Sequence, residues 1–192
     1  MSASELAQRL VTFALEECEY LETPFTKEAL TGLHQAWHGL RDELNGKPVR
    51  GMRCTQGRFE VFRAEQGFAP EELADFRRFL DLLRRALGTL TERAPRTATE
   101  EEVYWAQKFT RFLLAECGYF EVPCSVEGLE FLHACWYSEE DDPELNERPD
   151  LHSRNRFGAY CRIHGFGYEG FREFGRFLEY TEDCLRVLHG AL

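Results

Sequence analysis

The chain reads ECEYLETP from Glu17 and, ninety-nine positions later, ECGYFEVP from Glu116, so an acid, a thiol, a phenol, a second acid and a proline recur at one spacing. Those residue types can do chemistry. A cysteine becomes a nucleophile when a neighbouring imidazole takes its proton, and His34 and His133 follow Cys18 and Cys117 at equal separations, with Glu17 or Glu116 available to orient the ring. No nucleophile signature surrounds either cysteine, however, and both lie on an apolar helical stripe. The favoured reading is therefore that Cys18 and Cys117 are small core residues.

Metal chemistry draws on another set. Cys117, Cys124, His133, Cys135, Cys161 and His164 include soft zinc ligands, and Cys161 with His164 share a helical face. Their spacing matches no closed zinc module, and Phe25, Ala36, Arg63 and Gln66 stand at the aligned places of the first half. No metal and no cofactor is assigned. A metal- or thiol-dependent activity centred on the cysteines and histidines of the second half stays as the last of three readings. His34 with Trp37, and His133 with Trp136, lie three apart on one helix face. Each pair is either a core edge or half of a binding pocket.

Between the repeated blocks the charge changes sign. Residues 41–58 (RDELNGKPVRGMRCTQGR) hold five basic and two acidic residues, whereas residues 138–156 (SEEDDPELNERPDLHSRNR) hold three basic and seven acidic ones. Charge alone selects Lys47, Arg50, Arg53 and Arg58 to meet an acidic partner, and Glu139, Glu140, Asp141, Asp142 and Glu144 to meet a basic one. The opposite signs also permit a weak head-to-tail contact between copies, so the chain is expected as a monomer or weak homo-oligomer. Arg58, Arg78, Arg156 and Arg176 are the natural ion-pair partners of Glu17, Glu116, Glu28 and Glu127.

Composition narrows the classes further. A net charge of −11 disfavours general affinity for nucleic acid or anionic membrane. No P-loop, dinucleotide fingerprint, HExxH, G-x-S-x-G or EF-hand loop is present, and no run is apolar enough to span a bilayer. The N-terminus lacks a signal-peptide pattern, and seven cysteines without a regular framework suit a reducing compartment, so a cytoplasmic location is expected.

The elements that hold these residues are written twice. Leu6 to His38 aligns with Trp105 to Tyr137 at an offset of 99, with 14 of 33 positions identical, and Gly57 to Gly88 aligns with Asn155 to Arg186 at an offset of 98. The pattern predicts an all-α, internally duplicated fold of two pseudo-symmetric units packed together, each of about four helices: residues 1–90, a linker at 91–99, and residues 100–192. Thr26, Ser125 and Thr99 are the N-cap candidates. Third helices are expected over Arg58–Gln66 and Arg156–His164. One long fourth helix is expected in each half, through Leu73, Phe76, Leu80, Leu83, Leu87 and Leu90 and, position for position, through Phe171, Phe174, Leu178, Thr181, Leu185 and Leu188.

The function that fits is a non-catalytic helical protein-protein interaction module, an adaptor, regulatory or accessory subunit of a cytoplasmic complex. Association with nucleic acid through the basic 41–63 region is the second reading.

Overall fold

The computed structural model describes residues 2–39, 52–137 and 153–192, and among them every regular element is helical. The helices are α1 (Ala3–Tyr20), α2 (Lys27–Trp37), α3 (Met52–Gln66), α4 (Pro70–Ala74), α5 (Phe76–Leu90), α6 (Glu100–Tyr119), α7 (Val126–Tyr137), α8 (Ser153–His164) and α9 (Phe174–Gly190), with a 3-10 turn at Tyr168–Phe171. None of the described helices is long and apolar enough to cross a membrane.

Local sequence sets where the long helices start. Ser2 Oγ accepts from the Glu5 amide while Glu5 accepts from the Ser2 amide, and Thr99 and Glu102 make the same reciprocal box at the head of α6. Thr26 Oγ1 accepts from Ala29 N, and Ser125 Oγ from Gly128 N, as the N-cap reading requires. The ends are less conventional. Glu22 and Glu121 follow α1 and α6 with φ of 53°, the left-handed region that disfavours a side chain by about 1–2 kcal/mol. The turn is held because Thr23 N donates to Cys18 O and Val122 N to Cys117 O, closing each helix one residue before the proline.

The third and fourth helices depart from the sequence expectation in both halves, and in the second half Phe171 lies in the 3-10 turn ahead of α9. In the first half the fourth helix is broken, because Asp75 is extended and its Oδ1 accepts from the Arg77 and Arg78 amides, which starts α5 afresh. Arg77 N would otherwise bond to Leu73 O, and the break leaves that carbonyl open to other donors. The third helices begin earlier than expected, at Met52 and Ser153, since no proline lies inside those extensions to stop them.

Packing is organised around four helices in a ring: α1 lies on α5, α5 on α9, α9 on α6, and α6 on α1. Helices α2 and α3 pack on each other and on α1, and α7 and α8 pack on each other, with α7 also against α6 and α9. Trp37 is fully buried, stacked on Phe59 at 4.7 Å and edge-on to Phe79 at 5.0 Å; Trp136 is fully buried, stacked on Phe157 at 4.3 Å and edge-on to Phe177 at 5.4 Å. Such pairs add about 0.5–1.5 kcal/mol each beyond their buried area.

Two glutamines lock the ring across its middle. Gln107 on α6 is buried, accepts from Phe25 N at 2.7 Å and donates to Thr23 O, while Gln8 on α1 accepts from Cys124 N at 2.9 Å. Each side chain satisfies a backbone amide at the head of the helix opposite, a group that would otherwise be buried without a partner. Ion pairs complete the contact: Glu19 with Lys108 and Arg111, and Arg96 with both Asp183 and Glu102.

Candidate functional site

The residues singled out for chemistry are held in structural roles. His34 and His38 both point Nε2 at the Leu73 carbonyl, at 2.8 and 2.9 Å, so each ring carries its proton on Nε2. His133 does the same to Phe171 O at 2.9 Å. Burial pushes the His34 pKa below its ordinary value, with the neighbouring His38 adding to the effect, so the ring is neutral. Cys18 and Cys184 are buried, and desolvation pushes both thiols up to about 12. The hydrogen bond to Cys124, together with burial, raises Cys117 as well. A thiol shifted in this direction is a poor nucleophile. Among the described residues no group of three or more histidine, cysteine or acidic side chains is arranged to hold a metal ion.

The charge-selected sets fall mostly elsewhere. Lys47, Arg50, Glu139, Glu140, Asp141, Asp142 and Glu144 lie outside the described residues, and Arg53 falls in the first turn of α3. Arg58 is committed to an internal partner, its Nε donating to Glu17 Oε1 at 2.6 Å, and its guanidinium stacks 4.2 Å from the Tyr20 ring centroid. Arg156 braces Glu116 with two bonds of 2.9 and 3.0 Å and stacks 4.2 Å from Tyr119. The carboxylates are buried at 2% and 6% exposure while the arginines stay 43% and 39% exposed. This brace is what the twice-written acid and phenol of ECEY and ECGY provide. Arg78 and Arg176 do not join it, and Arg176 pairs with Glu173.

Directly beside the first brace a cleft of about 1000 Å³ opens between α1 and α3. Phe13 and Phe62, stacked at 4.3 Å, form its floor, and Tyr20 and Val61 its exposed apolar walls. Four carboxylates, Glu16, Glu17, Glu19 and Glu65, and two arginines, Arg58 and Arg111, line it. Glu17 pairs with Arg58 and Glu19 with Arg111, which leaves Glu16 and Glu65, both exposed and without an ion pair among the described residues. The result is an apolar trough with an uncompensated acidic rim.

The corresponding face on α6 and α8 keeps the floor and changes the rim. Phe112 stacks on Tyr160 at 4.3 Å beside the Arg156 brace, but Ala115, Gly118 and Ile163 occupy the aligned positions of Glu16, Glu19 and Glu65. Ile163 is 76% exposed. Sequence reasoning by loop charge missed this cleft. Its signal lay in the alignment itself, where three acids, two on α1 and one on α3, meet three uncharged residues.

Compared with protein-family models, curated proteins and solved structures, the chain matches none of them.

Proposed function

We propose that the chain is a non-catalytic helical interaction module, an adaptor or accessory subunit of a cytoplasmic complex, built from two pseudo-symmetric units (1–90 and 100–192, joined by 91–99) whose equivalent faces serve different protein partners. The recurrence of the Trp–Phe stack, the His-to-carbonyl bond and the Arg–Glu–Tyr brace at offsets of 99 and 98 supports the duplicated plan. So does the reciprocal exchange in which Gln8 caps Cys124 and Gln107 caps Phe25, the pairing that an approximate two-fold axis generates.

One observation carries the functional reading: the face beside the brace keeps its aromatic floor in both halves while its rim changes from acidic to apolar. Stability alone asks nothing of exposed rim residues, which can vary freely, so exposed apolar side chains beside the brace in each half, Tyr20 and Val61 in one and Tyr119 and Ile163 in the other, point to contact with something else. Affinity purification of the full chain from its native host, with Val61→Asp and Ile163→Asp compared against the wild type, tests it. Each variant should lose a different subset of co-purifying proteins. If both variants keep every partner of the wild type, neither face is a docking surface and the reading fails.

A further inference from the structure

Resting on that reading, we infer that the α1–α3 cleft takes a short amphipathic helix of a partner protein, with apolar anchors flanked by Lys or Arg. Three features of the cleft lead there. Its floor and walls, Phe13, Phe62, Tyr20 and Val61, supply the apolar trough that helix anchors at i, i+3 or i+4, and i+7 fill. An extended peptide would need a free strand edge for its backbone, and among the described residues there is none, whereas a helix satisfies its own backbone bonds. Finally, the rim has a sign.

Glu16 and Glu65 stand on facing helices with no cation assigned to them, while both arginines of the lining are engaged by Glu17 and Glu19. A neutral or acidic helix laid in the trough would desolvate or repel these two carboxylates without compensation. Flanking Lys or Arg side chains pair them and let their aliphatic stems cover Val61 and Tyr20. The second half shows the opposite choice on the same frame: Ala115 and Ile163 ask for no cation.

The test uses three designed helices of about eighteen residues with identical Leu and Phe anchors and flanks of Lys, Gln or Glu, plus a Lys helix with its anchors scrambled. Fluorescence anisotropy at about 20 and about 300 mM salt gives affinities, and amide shifts in the full chain give the location. The Lys helix should bind saturably, move the amides of Tyr20, Val61 and Phe62, and exceed the Glu helix by about tenfold at low salt. Glu16→Gln with Glu65→Gln should weaken it about fivefold or more with an unchanged melting temperature. Non-specific attraction to a chain of net charge −11 would hardly notice two charges, and would favour the scrambled helix equally. Gln or Glu helices that bind the same amides as tightly overturn the cationic assignment and leave the docking cleft standing. Four probes that leave those amides unmoved overturn both.

Discussion

Arg58 holds a carboxylate that the fold has already removed from water, and replacing it with methionine removes that ion pair from a buried charge. Glu17 is 2% exposed, and removing one partner of a buried ion pair costs about 3–5 kcal/mol. The Arg58 side chain is itself 43% exposed, so water refills part of the space it leaves, and about 2–3 kcal/mol is the expected loss. Over 192 residues, with an unfolding entropy of about 2.1 cal/mol/K per residue, the melting point falls by about 5–8 °C. Arg156→Met should behave alike, because Glu116 is buried to 6% exposure in the same brace.

The loss has a pH signature. In Arg58→Met the buried Glu17 carboxylate loses a partner that favours its charged form, so it is the charged form of the group that the substitution disfavours. The variant's deficit is therefore largest at neutral pH and shrinks as pH falls toward the ordinary glutamate value of about 4.3. Adding Glu17→Gln should recover part of the stability, because a neutral amide replaces the buried charge. Urea titrations followed by circular dichroism, run on the four members of the cycle at pH 7 and pH 5, give every quantity needed. A single variant as stable as the wild type, or a double variant no better than the single, would refute the brace.

Three other outcomes follow from the same geometry. His34 is buried neutral with its pKa lowered, beside His38 and within the field of Asp75, so its share of stability is present above about 6.5 and is lost as pH falls through the lowered value. The urea midpoint should drop between pH 7 and pH 5.5 in the wild type and drop less in His34→Gln; equal slopes would exclude the histidine as the cause. A Cβ added at Gly190 would overlap the Arg96 backbone, whereas one at Gly118 meets nothing within 4 Å, so Gly190→Ala should lose about 1–3 kcal/mol and Gly118→Ala gain up to about 1 kcal/mol in thermal melts. Residue-resolved alkylation should modify the half-exposed Cys135 well before the buried Cys18, Cys117 and Cys184, and rapid labelling of Cys18 or Cys117 in the folded chain would restore the nucleophile reading.

The helical class was legible because apolar spacing and capping chemistry agree: Thr99 with Glu102 and Thr26 as an N-cap can be read directly, and both form. The break at Asp75 was hidden because Leu73, Phe76 and Leu80 keep helical spacing across it, and only the Asp75 side chain competing for the Arg77 amide divides them. The turns at Glu22 and Glu121 lacked the glycine that usually marks a left-handed residue. Pairing of Arg58 with Glu17 could be anticipated from residue type, whereas the cleft could not. A trough depends on which apolar side chains stay uncovered, as Val61 does at 57% exposure, and helical periodicity alone assigns such a residue no neighbour.

The most direct measurement moves the rim from one face to the other. In a chain carrying Glu16→Gln and Glu65→Gln, Ala115→Glu and Ile163→Glu place two carboxylates beside the Arg156 brace, and the Lys-flanked helix is titrated by anisotropy and amide shifts. Two faces built on one frame require that binding return, with shifts now at Tyr119 and Tyr160. A folded variant with an unchanged melting temperature that still ignores the helix would contradict it.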